Sequence, residues 1–377
     1  MRKVVGALLL AFVVVVGSSC ANDASSATAG STTTAVDATT SAPAGAGKSA
    51  DAMAWQKVIA PSDCMCSDAS DFHFWIHHGT TKRVLFYLEG GGACFTQATC
   101  GPTNPSYKRN LAEDDPKGPG ADPAGIFDLA NRKNPFRDDS IVFVPYCTGD
   151  LHLGNAVHDY GGGVVIHHNG AVNASTALAA AAAVFPRTKE VVVAGGSAGS
   201  APTPIIGGIA HDVFPDAKVT TIADGSGAYP GTPAITTAIS ALWGTQTALP
   251  RWPETKGDPP TNWSLPGSFV QAAKHDPAIT LASINTAYDE TQQQFVKLAG
   301  FPDDDLMAMI DGNIKEVEDQ GVLMRTWVGP GTLHTILTRP ELYTVKVEGT
   351  SLLDWVTKLV DGGDVADVHC TECQKPG

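Results

Sequence analysis

Short, unbroken apolar runs closed by glycine or proline recur along the chain and set the first expectation, a sheet buried on both faces. Val84-Leu85-Phe86-Tyr87-Leu88, Ile141-Val142-Phe143-Val144, Val191-Val192-Val193-Ala194, the segment Ala217 to Ala223 and Val322 to Val328 are each too short for a helix of average length, and turn residues follow each of them. Between the runs lie helical stretches. Asn173 to Phe185 is alanine-rich, a small-residue run ends at Ala210, Ile279 to Leu298 reads as helix, and Leu352 to Val360 is amphipathic. Strands alternating with helices predict an α/β fold: a mostly parallel central sheet with helices on both faces and ligands at the carboxyl ends of the strands. From 230 to 277 the alternation breaks. Trp243, Trp252, Trp263 and Phe269 sit among prolines there, which reads as a cap-like insertion over the sheet end.

The ends of the pattern are of another kind. Arg2 and Lys3 precede a thirteen-residue apolar run, Val4 to Val16, then Gly17-Ser18-Ser19-Cys20. The run is short for a membrane span and reads as an export signal over residues 1–19. Small residues before a cysteine match the lipoprotein signal, with Cys20 as the lipidated residue; cleavage and secretion is the alternative. Residues 20–51, almost only Ala, Ser, Thr, Gly and Asp, form no core and read as a disordered tether. One folded domain is expected over 52–377.

Composition narrows the partners. The net charge of −14 comes from 25 basic and 39 acidic side chains, against nucleic acid and poorly suited to a polyanionic polymer. Eight cysteines in an exported chain point to disulfides, with Cys94 and Cys100 close enough to staple the loop between them. His167-His168 has no carboxylate or cysteine at ligand spacing. The Cys370-x-x-Cys373 pair has no second half-site, so no metal and no cofactor is expected.

The candidate chemistry lies in Gly195-Gly196-Ser197-Ala198-Gly199, a Gly-x-Ser-x-Gly directly after an apolar strand. This spacing is that of a nucleophile elbow, a sharp strand-to-helix turn that presents the serine hydroxyl near a helix N-terminus. A serine needs a histidine to accept its proton, a carboxylate to orient that histidine, and N–H donors for the oxyanion. Of the downstream histidines, His211 lies far along the elbow helix, His275 in the cap-like stretch and His369 among the terminal cysteines. His334 follows a late strand by a short glycine loop and is the candidate base. Asp224, ending the strand after the elbow helix, and Asp289 are both candidate acids. Oxyanion donors are Ala198 and the loop Gly90-Gly91-Gly92-Ala93, where glycine lets the backbone approach a substrate.

Leu88-Glu89-Gly90-Gly91-Gly92-Ala93-Cys94, Pro145-Tyr146-Cys147-Thr148-Gly149-Asp150 and Gly195-Gly196-Ser197-Ala198-Gly199 together resemble the pectin acetylesterase/Notum family, in a bacterial form. Cys66-Ser67-Asp68 resembles its opening motif, and the resemblance runs from Cys64 to Thr335. It implies an α/β-hydrolase-like fold and a Ser-His-Asp ester hydrolase. Ser197 matches the nucleophile and His334 the base. Tyr288-Asp289-Glu290-Thr291-Gln292 resembles the surroundings of the acid, which favours Asp289 over Asp224. Gly91, Gly92 and Ala198 match the oxyanion hole, with Gly92 where other members carry Trp. The expectation is an exported monomer, lipid-anchored or secreted, that removes acetyl groups from an acylated carbohydrate or small ester. Rival readings are a lipase or serine peptidase on the same fold, or a non-catalytic surface binding protein.

Overall fold

The apolar runs are strands of one sheet, which has nine strands among the described residues. In chain order it takes Gln56–Ile59 (β1), His73–His77 (β2), Arg83–Leu88 (β3) and Ser140–Val144 (β4). A separate hairpin of Ala156–Asp159 (β5) and Val165–His168 (β6) intervenes. Glu190–Gly196 (β7), Lys218–Asp224 (β8), Thr280–Thr286 (β9) and Met324–Gly329 (β10) continue the sheet. After the small hairpin Lys346–Val347 (β11) and Thr350–Ser351 (β12), Val368–His369 (β13) ends it. The spatial order is β1-β2-β4-β3-β7-β8-β9-β10-β13. From β4 to β13 all neighbours are parallel; β2 runs antiparallel to both β4 and β1. The computed structural model describes residues 54–103, 105–114, 118–301 and 305–373, and the compact unit that holds them is Lys48–Gly377. The export signal, Cys20 and the tether lie outside the described residues.

Alternation within β3 explains why such strands read as continuous apolar runs. Val84, Phe86 and Leu88 join one buried cluster, while Leu85 and Tyr87 join another on the opposite face. Covered on both sides, the strand has no place for a solvated side chain. The helices are Gln97–Cys100 (α1), Gly170–Val184 (α2), Thr203–Val213 (α3), Pro233–Trp243 (α4), Thr245–Ala248 (α5), Leu265–His275 (α6), Glu290–Leu298 (α7), Leu306–Asp319 (α8) and Leu352–Val360 (α9). Ala174, Ala177, Leu178 and Ala181 of α2, Ile206 and Ala210 of α3, and Phe269 and Val270 of α6 cover one face. Leu352, Trp355, Val356 and Leu359 of α9 cover the other, with Val296 of α7 and Ile310 of α8.

Two expectations are corrected. The stretch 279–298 is not one helix: 280–286 is β9, with Leu281 on one face and Ala282 and Ile284 on the other, and α7 begins only at Glu290. No glycine or proline marks the boundary; the side chain of Asp289 does, by capping α7. The cap-like insertion is also shorter than 230–277. Helix α6 packs with α3, with Phe269, Val270 and Ala272 in the core, so the C-terminal part of that stretch belongs to the body of the domain, although Ser264 and Leu265 still line the cavity.

Among the described residues three disulfides link Cys66 to Cys147, Cys94 to Cys100 and Cys370 to Cys373. Cys64 is buried with a free thiol. Among the described residues no helix is long and apolar enough to cross a membrane.

Candidate active site

Strand β7 ends at Gly196, and Ser197 turns the chain with φ of 55°, in the left-handed region. A non-glycine residue held there costs of order 1–3 kcal/mol and persists only where its surroundings impose it. One turn of 3-10 helix, Ser197–Gly199, leads toward α3. The flanking glycines are required sterically: a Cβ on Gly199 would collide with the carbonyl of Leu88, and one on Gly195 with the carbonyl of Gly199. The Gly90 loop closes on the same turn, since a Cβ there would lie 2.8 Å from the Cβ of Ser197 and 2.6 Å from Gly196 O.

Asp289 and His334 arrive on adjacent loops after the parallel strands β9 and β10. His334 Nδ1 donates to Asp289 Oδ2 at 2.7 Å. Asp289 is fully buried, and its other oxygen accepts the N–H groups of Thr291 and Gln292, both at 2.9 Å. The carboxylate therefore serves as helix cap and as partner of the imidazole at once, its orientation fixed by backbone donors. With Nδ1 as the donor, the lone pair of a neutral imidazole lies on Nε2, which is buried and has no hydrogen-bond partner among the described residues, Ser197 included. His334 lies beside the elbow. Gly196 pairs with Asp224 in the β7–β8 register, and a Cβ on the next residue, Gly225, would lie 3.4 Å from His334 Cε1.

The glycine loop after β3 is anchored from behind. Glu89 Oε2 accepts Tyr146 N at 2.9 Å and Lys108 Nζ at 2.8 Å, while Lys108 N donates to Gly91 O at 2.9 Å. His152 Nε2 donates to Glu89 O at 2.9 Å. These contacts fix the backbone at Glu89 and Gly91, and the next residue, Gly92, lines one cavity with Ser197 and Ala198.

That cavity has a volume of about 390 Å³. Its walls include Ile205, Tyr229, Ile235, Ile239, Leu242, Trp243 and Phe295, and among the described residues its polar groups are hydroxyls such as those of Ser226, Thr236 and Ser240 and the indoles of Trp243 and Trp263. Helix α4 supplies six of these residues from the cap-like insertion.

Asp224 sits elsewhere than at the imidazole. Its Oδ2 accepts Ile336 N at 2.7 Å and Leu337 N at 2.8 Å, clamping the backbone just beyond His334. Burial raises its pKa to about 6, partly countered by those two donors. His211 pairs with Asp276, His275 with Asp212 and Glu254, and His369 with Asp311, all away from Ser197. His369, Cys370 and Cys373 offer donor atoms within 4.8 Å of one another, but the two sulfurs are joined in a disulfide. Gln292 was not singled out from the pattern. Its Nε2 donates to Asp289 Oδ2 at 3.2 Å and its Oε1 accepts Ala228 N at 3.0 Å. A signal for it exists, because Asp289-x-x-Gln292 has capping-box spacing at a helix start.

A family model described as pectinacetylesterase matches residues 48–303. The chain belongs to the pectinacetylesterase family. Membership places it among carboxylic ester hydrolases, and the matched span holds Ser197 and Asp289 but stops short of His334. The chain is 30% identical over 96 residues, 24% of its length, to a palmitoleoyl-protein carboxylesterase notum2 from Xenopus laevis, of which it spans 19%. It is 29% identical over 101 residues to an inactive palmitoleoyl-protein carboxylesterase notum1b from Danio rerio, 26% of this chain and 72% of that one. The solved structure of the Wnt deacylase Notum from Drosophila superposes with a TM-score of 0.63 at 16% identity, covering 85% of this chain and 98% of that one. This last likeness carries the α/β-hydrolase-like fold.

Proposed function

We propose that the chain is a serine carboxylic-ester hydrolase. Ser197 Oγ attacks the acyl carbonyl as His334 Nε2 takes its proton. Asp289 holds the imidazole in the required tautomer and offsets its charge once protonated. The N–H groups of Gly91, Gly92 and Ala198 receive the oxyanion, each donor contributing about 3 kcal/mol to the transition state. His334 returns its proton to the leaving alcohol, and water activated by the same imidazole frees the acyl-enzyme. The observation that carries this reading is the 2.7 Å bond from His334 Nδ1 to Asp289 Oδ2, which leaves Nε2 buried and without a hydrogen-bond partner on the loop that packs against the Ser197 turn, where a Cβ on Gly196 would lie 3.5 Å from Thr335 Cγ2.

The substrate in this reading is an acylated carbohydrate or small ester, with acetyl as the acyl group the family name implies. The enzyme acts as an exported monomer, tethered through a lipid on Cys20 or released. A second reading is favoured by the cavity. A space of about 390 Å³ with no charged side chain among its described lining residues is larger than an acetyl group needs and suits a longer acyl chain. One experiment treats both: rates on acetyl, butyryl, octanoyl and palmitoyl nitrophenyl esters for the wild type and Ser197→Ala. The variant is expected to lose at least about 10⁴-fold in kcat on every ester, and wild-type turnover in it would contradict the serine mechanism. A kcat/KM that rises from acetyl to octanoyl selects the longer chain; a steady fall selects acetyl.

A further inference from the structure

The C-terminal Cys370-x-x-Cys373 hairpin lies outside the residues that match the family, yet it touches the loop that carries His334. Strand β13 pairs with β10, Trp327 against Val368 and Val328 against His369, and the contact continues past both strand ends. Cys370 N donates to Val328 O at 3.0 Å, and Gly331 N donates to Cys373 O at 3.0 Å. On its other side the same loop is bonded to the loop of Asp289: Ala287 N donates to Gly329 O at 2.9 Å and Tyr288 N to Gly331 O at 3.0 Å. Three backbone segments thus lie side by side, with Asp289 on the first, His334 on the second and the disulfide on the third.

We propose that the Cys370–Cys373 disulfide hairpin is a positioning element for His334, holding Gly331 by its N–H so that the imidazole stays aligned with Ser197. The inference rests on the reading of His334 as base. Gly331 has φ of 88°, a conformation open chiefly to glycine, and its two backbone groups are held from opposite sides, the C=O by Tyr288 N and the N–H by Cys373 O, so the hairpin supplies half of what fixes this turn. The bond between the two sulfurs closes residues 370–373 into a tight turn and aims the Cys373 carbonyl at Gly331. Both cysteines are buried. The turn is fastened outward as well: His369 Nε2 meets Asp311 Oδ1 at 3.0 Å, and Glu348 Oε1 accepts Thr371 N at 3.1 Å and Thr371 Oγ1 at 2.7 Å. Reduction by a dithiol would open the turn. The reductant passes two electrons and two protons to the sulfurs through a mixed disulfide, leaving two thiols on the protein and a cyclic disulfide on the reductant.

The test is the steady-state kinetics of the full chain with Cys370→Ser and Cys373→Ser together, measured far below the unfolding temperature. A displaced base slows the chemical step without changing the cavity, so kcat is expected to fall roughly tenfold with KM unchanged, since small misplacements at a reacting centre are costly. The rate of fluorophosphonate labelling at Ser197 should fall in the same proportion. Wild-type protein reduced by a dithiol, with the opened pair identified by thiol trapping, should lose the same fraction of kcat and regain it on reoxidation; this arm stands even if the double variant does not fold. An unchanged kcat, with only a lowered unfolding temperature, would overturn the proposal and leave the hairpin a purely structural staple. His334→Ala separates the two levels: if it stays active, the base assignment itself fails; if it is inactive while the opened hairpin keeps full kcat, only the positioning role fails.

Discussion

At the residue scale, the two candidate acids do different work although both are buried at strand ends. Asp289 meets the imidazole, while Asp224 holds the backbone of Ile336 and Leu337. Asp289→Asn is expected to lower kcat by about 10⁴, as losing the orienting carboxylate does in serine hydrolases. Asp224→Asn keeps an oxygen for the two N–H groups and should cost no more than about tenfold, the usual worth of one neutral hydrogen bond. Its mark is on stability. With its pKa raised from 3.8 to about 6, Asp224 holds a proton in the folded chain that the unfolded chain has released between about pH 4 and 6. Stability from this group therefore falls as pH rises through that window. Urea unfolding at pH 4.5 and 7 should show Asp224→Asn gaining on the wild type at the higher pH; an equal difference at both would contradict the burial argument. Ser197 was legible because its neighbours are backbone requirements written as glycine. The choice of Asp289 was not legible from spacing, because the contact joins two loops that only the β9–β10 pairing brings together. It came from resemblance.

At the scale of elements, legibility followed the length of the unbroken apolar run. β3, β4 and β7 are covered on both faces and stand out as apolar runs. β1 is mostly exposed, and β2, although buried throughout, carries a histidine at each end, so neither announces itself. β9 reads as part of a helix because its threonines and serine break the apolar run and a capping aspartate, rather than a glycine, follows it before α7. The elbow is the element on which the site depends most. A Cβ on Gly199 would meet the carbonyl of Leu88 in β3, a backbone neighbour that cannot swing aside. Gly199→Ala should therefore destabilise the chain by about 2–4 kcal/mol, read as a lowered urea midpoint, and should reduce activity by displacing Ser197. A neutral effect on both would mean the β3–β7 contact is looser than described.

At the scale of the whole molecule, the sheet gathers at one end loops that are distant in sequence: the Gly90 loop after β3, the elbow after β7, and the loops of Asp289 and His334 after β9 and β10. The order of elements predicted that convergence, whereas the Cys66–Cys147 link and the extent of the cap depend on tertiary contact and were not readable. Net charge acts at this scale too. At −14, the chain repels a polyanionic substrate, so kcat/KM on an acetylated pectin should rise as salt is added from about 10 to 200 mM, while that on an acetylated neutral glycan stays flat. A salt-independent rate on both would show that the overall charge has no part in substrate choice. The central claim remains chemical, that Ser197 is a nucleophile activated by His334. Its most direct measurement is fluorophosphonate labelling of the intact protein followed by peptide mapping. The account predicts one adduct, on Ser197, that is lost in His334→Ala. An unlabelled Ser197 in a preparation that hydrolyses ester at full rate would contradict it.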